Sequence, residues 1–592
     1  MKGRGGSESR LYAGIWQEVG SGDGWGRGGV RKVLARVTVN IGGMPSQFMK
    51  YSVPSVLVAG LAALALSACG SSSDSSGATE LAKYAPADTT VYVEGAVQPD
   101  SEVAANIDSI SDTLAGVNIG DLIKENIDSS SDGDVNFDAD VKPWLGQDAG
   151  VFVQFDPAAL TDSVPGADGL TSLTSETTDF TTGEPSTMDY GDADAQTFGL
   201  VVQTTDTDAA QSFIDKQAES DGGSTDGEYE GFSYKVSKDD GTTVGIVDDN
   251  LVIGSSEDEF KAAVDASKGD NLADTSTFKD LSGHAADGAL ATIYTANDPY
   301  LTALKEQGID FGGLYSALGI DLEGSGTVLS MVPETNAISM QGYSSAGSDL
   351  TSGDPSSVIE TFPANSIVAT GSGDVGSNAT KIMDALNTEG IPGVLEPGQV
   401  DKLINQASGQ VDIEGIIKSL DTVAFFVNGR TQQTIGGALV ATSSNIKPIE
   451  SSLRGISSLI ALAGDSNVRP LPGGVAGFRV NTPELPGRPV VIGVKNDRLV
   501  IGIGLQASLT ALTGAGPTLG DSDAYKAADE SIPGEGLDMF ADPANVAKLI
   551  VASTPGDPDA KAVAQIINKF EYMAAGSGDG DQTFEFNMGL KD

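Results

Sequence analysis

The chain has 592 residues, with 83 acidic against 34 basic side chains and a formal net charge of −49. Such a charge repels polyanions and excludes nucleic acid as a partner. One cysteine and one histidine exclude an intrachain disulfide and the usual zinc sites, so stability has to come from burial and strand pairing.

Residues 1–48 are Gly- and Arg-rich without apolar periodicity, and read as a mis-annotated N-terminal extension ahead of a start at Met44 or Met49. Residues 49–68 read as a lipoprotein signal peptide. The apolar run Val53 to Ala68 ends in Leu66-Ser67-Ala68-Cys69, a lipobox, and is shorter than the roughly 20 residues of a spanning helix. Cleavage before Cys69 leaves a lipid-attachment cysteine, diacylglycerylated and further acylated with palmitate. The mature chain then carries a net charge of about −54. Residues 69–79 are the lipidated Cys and a Gly/Ser tether that spans roughly 16–19 Å on average. The expected location is the extracytoplasmic face of a membrane in the cell envelope, with the membrane as partner through Cys69.

From residue 80 the sequence repeats itself. Tyr84-Ala85-Pro86-Ala87-Asp88 leads into a strand as Phe362-Pro363-Ala364-Asn365 does. Asp249-Asn250-Leu251-Val252-Ile253-Gly254 matches Asp497-Arg498-Leu499-Val500-Ile501-Gly502, each followed by a helical run, Glu257–Ser267 and Gln506–Thr513. Leu272-x-Asp274 with Phe278-Lys279 then matches Leu519-x-Asp521 with Tyr525-Lys526, and Asp298-Pro299 matches Asp542-Pro543. The order of these anchors predicts two homologous lobes, 80–347 and 358–592, with 161–196 a disordered acidic insertion in the first. Short polar turns at Asp239-Asp240-Gly241 and Asp248-Asp249-Asn250 imply antiparallel hairpins. The expected fold class is α+β: two tandem lobes of mostly antiparallel sheet with packed amphipathic helices.

The Pro-Ala-Asp opening, the stretch Asn136-Phe137-Asp138-Ala139-Asp140-Val141-Lys142-Pro143-Trp144-Leu145-Gly146, and the Asp-Asn-Leu-Val-Ile-Gly unit resemble the bacterial exported proteins grouped as domain of unknown function 3352. The resemblance implies an exported or membrane-attached protein without an assigned activity, and supplies no catalytic residues.

The chemistry-bearing patterns are sparse. Asp132, Asp134, Asp138 and Asp140 alternate as oxygen donors for Ca²⁺ could, but Phe137 and Pro143 stand where an EF-hand needs Gly and Glu. Phe137, Val141 and Trp144 at i, i+4 and i+7 instead suggest a helical turn facing a core. Gly371-Ser372-Gly373-Asp374-Val375-Gly376 has dinucleotide-loop spacing, yet its antiparallel context favours a Gly-rich turn ahead of a helix. His284 lies in a surface loop without a nucleophile elbow elsewhere in the chain. The Ser-x-x-Lys matches, Ser276–Lys279 and Ser444–Lys447, suit a Ser-rich chain. No cofactor and no catalytic residue is expected. The reading is a non-enzymatic binding or scaffold protein, its partner an unknown protein or apolar ligand. The alternative is a carrier or sensor of lipid-like apolar ligands, and a hydrolase ranks behind both.

Overall fold

The computed structural model describes residues 80–114, 136–155, 196–220, 223–306, 310–391, 395–408, 413–431, 434–463, 467–483, 485–534, 536–580 and 582–591. Cys69, Asp132, Asp134, the proposed signal peptide and tether, and nearly all of the 161–196 insertion lie outside them.

Twenty strands form one sheet. The first ten are β1 (Val91–Ala96), β2 (Leu145–Phe155), β3 (Gln196–Thr204), β4 (Ser224–Tyr229), β5 (Phe232–Ser237), β6 (Thr243–Val247), β7 (Asn250–Gly254), β8 (Ala291–Ala296), β9 (Gly326–Pro333) and β10 (Ala337–Ser344). The second ten are β11 (Ser366–Ser372), β12 (Leu420–Asn428), β13 (Gly436–Ser443), β14 (Val468–Pro470), β15 (Ala476–Val480), β16 (Val490–Lys495), β17 (Arg498–Ile503), β18 (Leu537–Ala541), β19 (Phe570–Ser577) and β20 (Thr583–Leu590).

Following the pairings from one edge gives β4-β5-β6-β7-β3-β2-β1-β8-β9-β10, all antiparallel. The second ten strands pair in the corresponding order from β14 to β20. Where the sequence predicts two separate lobes, the two series are joined: β10 pairs with β20 over seven residue pairs, Ala337–Gly589 through Tyr343–Thr583. Each series ends in a strand that would otherwise expose a free edge, and the two edges satisfy one another. The outer edges are blunted differently. β4 carries Asp226 and Glu228, and β14 is three residues long with Pro470 at its end.

Local chemistry explains the elements. The hairpin between β5 and β6 turns at Gly241 with φ +79°, and that between β6 and β7 at Asp248 with φ +50°. The helix Glu257–Lys268 starts where the Ser256 hydroxyl accepts from the backbone N–H groups of Asp258 and Glu259. In the second series, Asp542 caps the helix Pro543–Ser553, with Pro in its first turn.

Residues directly opposite in a ladder share a face, so the register sorts the core. One face carries Tyr92, Phe152, Val201, Val252 and Tyr294 under the helices Glu257–Lys268 and Ser276–Ser282. In the second series it carries Ala369, Phe426, Val440, Val500 and Phe540 under Leu505–Thr513 and Asp523–Glu530. The other face is covered over β2, β3 and β7 by Phe213 and Ile214 of the helix Thr207–Ser220, with Phe137, Val141 and Trp144.

Candidate functional site

The described part of the acidic alternation, Asp138 and Asp140, does not converge. Phe137–Val141 forms a single π-helical turn whose apolar members, with Trp144, enter the core. Asp138 reaches Lys142 at 3.9 Å, whereas Asp140 accepts from the Lys216 ammonium at 2.7 Å and from the Asn136 backbone at 2.8 Å. Lys216 holds the Asp140 carboxyl below its ordinary range. The two carboxylates serve different lysines rather than one cation. Among the described residues no group of three or more His, Cys, Asp or Glu could hold a metal ion.

The glycine-rich stretch is a chain crossing. A Cβ on Gly373 would fall 2.4 Å from the Gly353 carbonyl carbon, and Gly373 N–H donates to Gly353 O at 2.9 Å. The helix Val375–Glu389 follows without a side-chain cap, Asp374 lying at φ +52°. Trp144 is buried, stacks on Phe213 at 5.4 Å between centroids, and donates its indole N–H to Asp140 O at 2.7 Å. His284 is exposed and stacks on Tyr343 at 3.7 Å. Lys279 turns from Ser276 to Asp274, at 3.0 Å.

The covered face holds an unexpected polar band. Glu94, 5% exposed, lies opposite Thr292, which lies opposite Ser330; Ser330 lies opposite Gln341, and Gln341 opposite Glu585. Burial pushes the Glu94 carboxyl well above the carboxylate range, Asp148 adds to this, and the hydrogen bond from Tyr92 Oη at 2.9 Å opposes it in part. Burial also raises Asp148 and Glu334, the latter with help from Glu585. Glu585 accepts from Ser339 Oγ at 3.1 Å and Asn587 Nδ2 at 3.0 Å. Further along, burial and then Asp354 push Asp538 up to about 6. The Thr292–Ser330 and Ser339–Glu585 contacts tie neighbouring strands together. Glu94, Asp148, Glu334 and Asp538 are shifted toward the neutral form that a helix-covered sheet tolerates.

The opposite face is apolar and largely open. Across it runs a register row: Met331 opposite Met340, then Phe586, Ala575, Met539, Thr370, Phe425, Leu439 and Ile501. The row crosses nine neighbouring strands, about 38 Å at the usual inter-strand spacing. A second row places Met588 opposite Met573 and Val368 opposite Val427. Phe425, Leu439, Ile501, Ile503 and Phe584 are 46%, 40%, 44%, 37% and 41% exposed, and the methionines are half-buried. The helix Ser101–Thr113 crosses one margin, setting Val103 and Ile107 near Ala291 and Met331, and the helix Lys447–Ala463 covers the other, setting Ile449 and Leu453 near Ile492 and Leu499.

The first strand series shows what a covered version looks like. There the row Val151–Leu200–Ile253 occupies the place of Phe425–Leu439–Ile501. Leu200 is fully buried beneath Trp144 and Phe213. Large apolar patches left open on a folded chain mark interaction sites.

One cavity of about 450 Å³ lies elsewhere, lined by Leu301, Lys305, Phe311, Tyr315, Asp321 and Glu323 among others. Its lining mixes apolar and charged side chains. Among the described residues no helix is long and apolar enough to cross a membrane.

A family model described as a protein of unknown function, DUF3352, matches residues 53–590. No curated protein matches. Two solved structures, of crystal forms III and I of TP0453, align at 11% identity. They cover 75% and 74% of this chain and 99% and 97% of their own, each with a TM-score of 0.19. An overlap that loose transfers neither fold nor function.

Proposed function

This chain belongs to the DUF3352 family, which has no assigned activity, and we propose that it is a lipid-anchored envelope protein that binds acyl chains without chemistry. The observation that carries this reading is the open apolar sheet face running from Met331 to Ile501. Hydrocarbon is the ligand that demands no hydrogen bond from such a surface, and methionine side chains adapt to chains of varied shape. Anchoring through Cys69 would keep the face beside a source of lipid, and the charge of the mature chain would keep it from adhering to anionic headgroups. The matching order of the two strand series supports descent from one duplicated lobe. The same face also supports a scaffold reading, with an apolar protein surface as the partner.

The test is mass spectrometry of lipids extracted from the natively purified protein, alongside titration with a fluorescent fatty-acid probe. Enriched acylated molecules and saturable probe binding are expected. An empty extract with no probe binding refutes the carrier.

A further inference from the structure

We propose that the thioethers of Met331, Met340, Met539, Met573 and Met588 form one oxidation site, at which hypochlorous acid or a like two-electron oxygen donor turns the open face polar. Its consequence for ligand binding rests on the acyl-chain reading; the site itself does not. Of the six methionines among the described residues, these five share this face, and the sixth, Met383, lies on the helix Val375–Glu389.

The register makes the five contiguous. Met331 is opposite Met340, and Met573 is opposite Met588. Met588 is opposite Ile338, two residues from Met340, and Ala575, two residues from Met573, is opposite Met539. Opposite side chains have Cβ atoms about 5 Å apart and diagonal ones about 7–8 Å apart, so the thioethers form an unbroken path over five strands. Strand surfaces ordinarily favour β-branched residues. The covered row of the first series has β-branched Val151 and Ile253 on either side of Leu200, and no methionine. Methionine is thus concentrated where the face is open and central. All five are half-buried, so each residue keeps part of its surface in solvent. Cys69 is the chain's single thiol, and these five thioethers are half of its ten methionines.

In the reaction the sulfur takes the oxygen atom as the S–O bond forms and the O–Cl bond breaks. Sulfur loses two electrons, chlorine leaves as chloride with them, and the proton passes to water. The product sulfoxide is a strong acceptor. Phe586, Ala575, Ile338 and Ala541 offer it no side-chain donor, and of the five only Met539 has a hydroxyl opposite it, that of Thr370. A polar group without a partner opposes burial under hydrocarbon.

The experiment treats the purified full chain with graded hypochlorous acid. Peptide mass mapping locates the sulfoxides, and retention on a hydrophobic-interaction column reads the polarity of the surface without any ligand. Sulfoxide at all five positions, earlier elution and a loss of fatty-acid probe affinity of roughly tenfold or more are expected. The variant Met340→Leu with Met588→Leu should fold, because these swaps conserve volume, and should keep more of its retention after treatment. Conversion of Met383 while the five remain thioethers overturns the proposal, as does unchanged retention after they convert. Untreated protein that binds no probe refutes the acyl reading alone, since map and retention still decide the site.

Discussion

Asp538 offers a quantitative test of how the covered face is built. Its carboxyl rises to about 6, first through burial and then through Asp354, whose own Oδ1 is engaged by Ser356 N–H at 2.8 Å. Against an unfolded value near 3.9, about two units would correspond to about 3 kcal/mol. Because the group is only partly buried, solvent screening reduces this to on the order of 1–2 kcal/mol. The folded pKa is raised, so this contribution is fully present below about pH 4 and is lost as pH rises through about 6. Asp538→Asn removes the charge while keeping the shape. In urea unfolding, the variant should exceed the wild type at pH 8 by on the order of 1–2 kcal/mol, and most of the gap should close at pH 4. An equal gap at both pH values, or none at pH 8, refutes the argument.

Trp144→Ala should cost about 3–5 kcal/mol, read as a lower urea midpoint, because it empties the site beneath Phe213 and leaves Asp140 O without its indole donor. Leu439→Asp on the open face should leave the urea midpoint within about 0.5 kcal/mol of wild type and weaken fatty-acid probe binding severalfold, which titration checks. Cys69→Ser should move the protein from the membrane to the soluble fraction on cell fractionation; continued membrane retention would exclude lipidation at Cys69. Gly373→Val should be destabilising by about 1–3 kcal/mol in the same unfolding assay, since its Cβ meets the Gly353 carbonyl.

Local signals in the chain were faithful where the physics is local. The Asp-Gly and Asp-Asn turns gave their hairpins, the run from Glu257 gave its helix, and Phe137, Val141 and Trp144 pointed inward at the expected spacing. Alternation failed to say which face is covered. In Val91-Tyr92-Val93-Glu94 a period of two would send Glu94 outward, whereas it is buried and the two valines stand half-open. Nor could it show that Val423-Ala424-Phe425-Phe426-Val427, apolar on both sides, is covered on one. The joining of β10 to β20 is set by contacts such as Ser339 to Glu585, 246 residues apart. Nothing in either segment announces its partner. The methionine path was equally hidden, because it exists only after the register is known.

That join also governs the order of events as the chain emerges. Every other neighbour of β10 is made before residue 345, but its second ladder waits for β20, whose last paired residue is Leu590. Until then a nascent chain holds two unfinished edges, at β10 and β19. The last ten residues therefore act as the clasp of the sheet, and a chain truncated before Thr583 would present both edges to its neighbours, an invitation to strand exchange and aggregation.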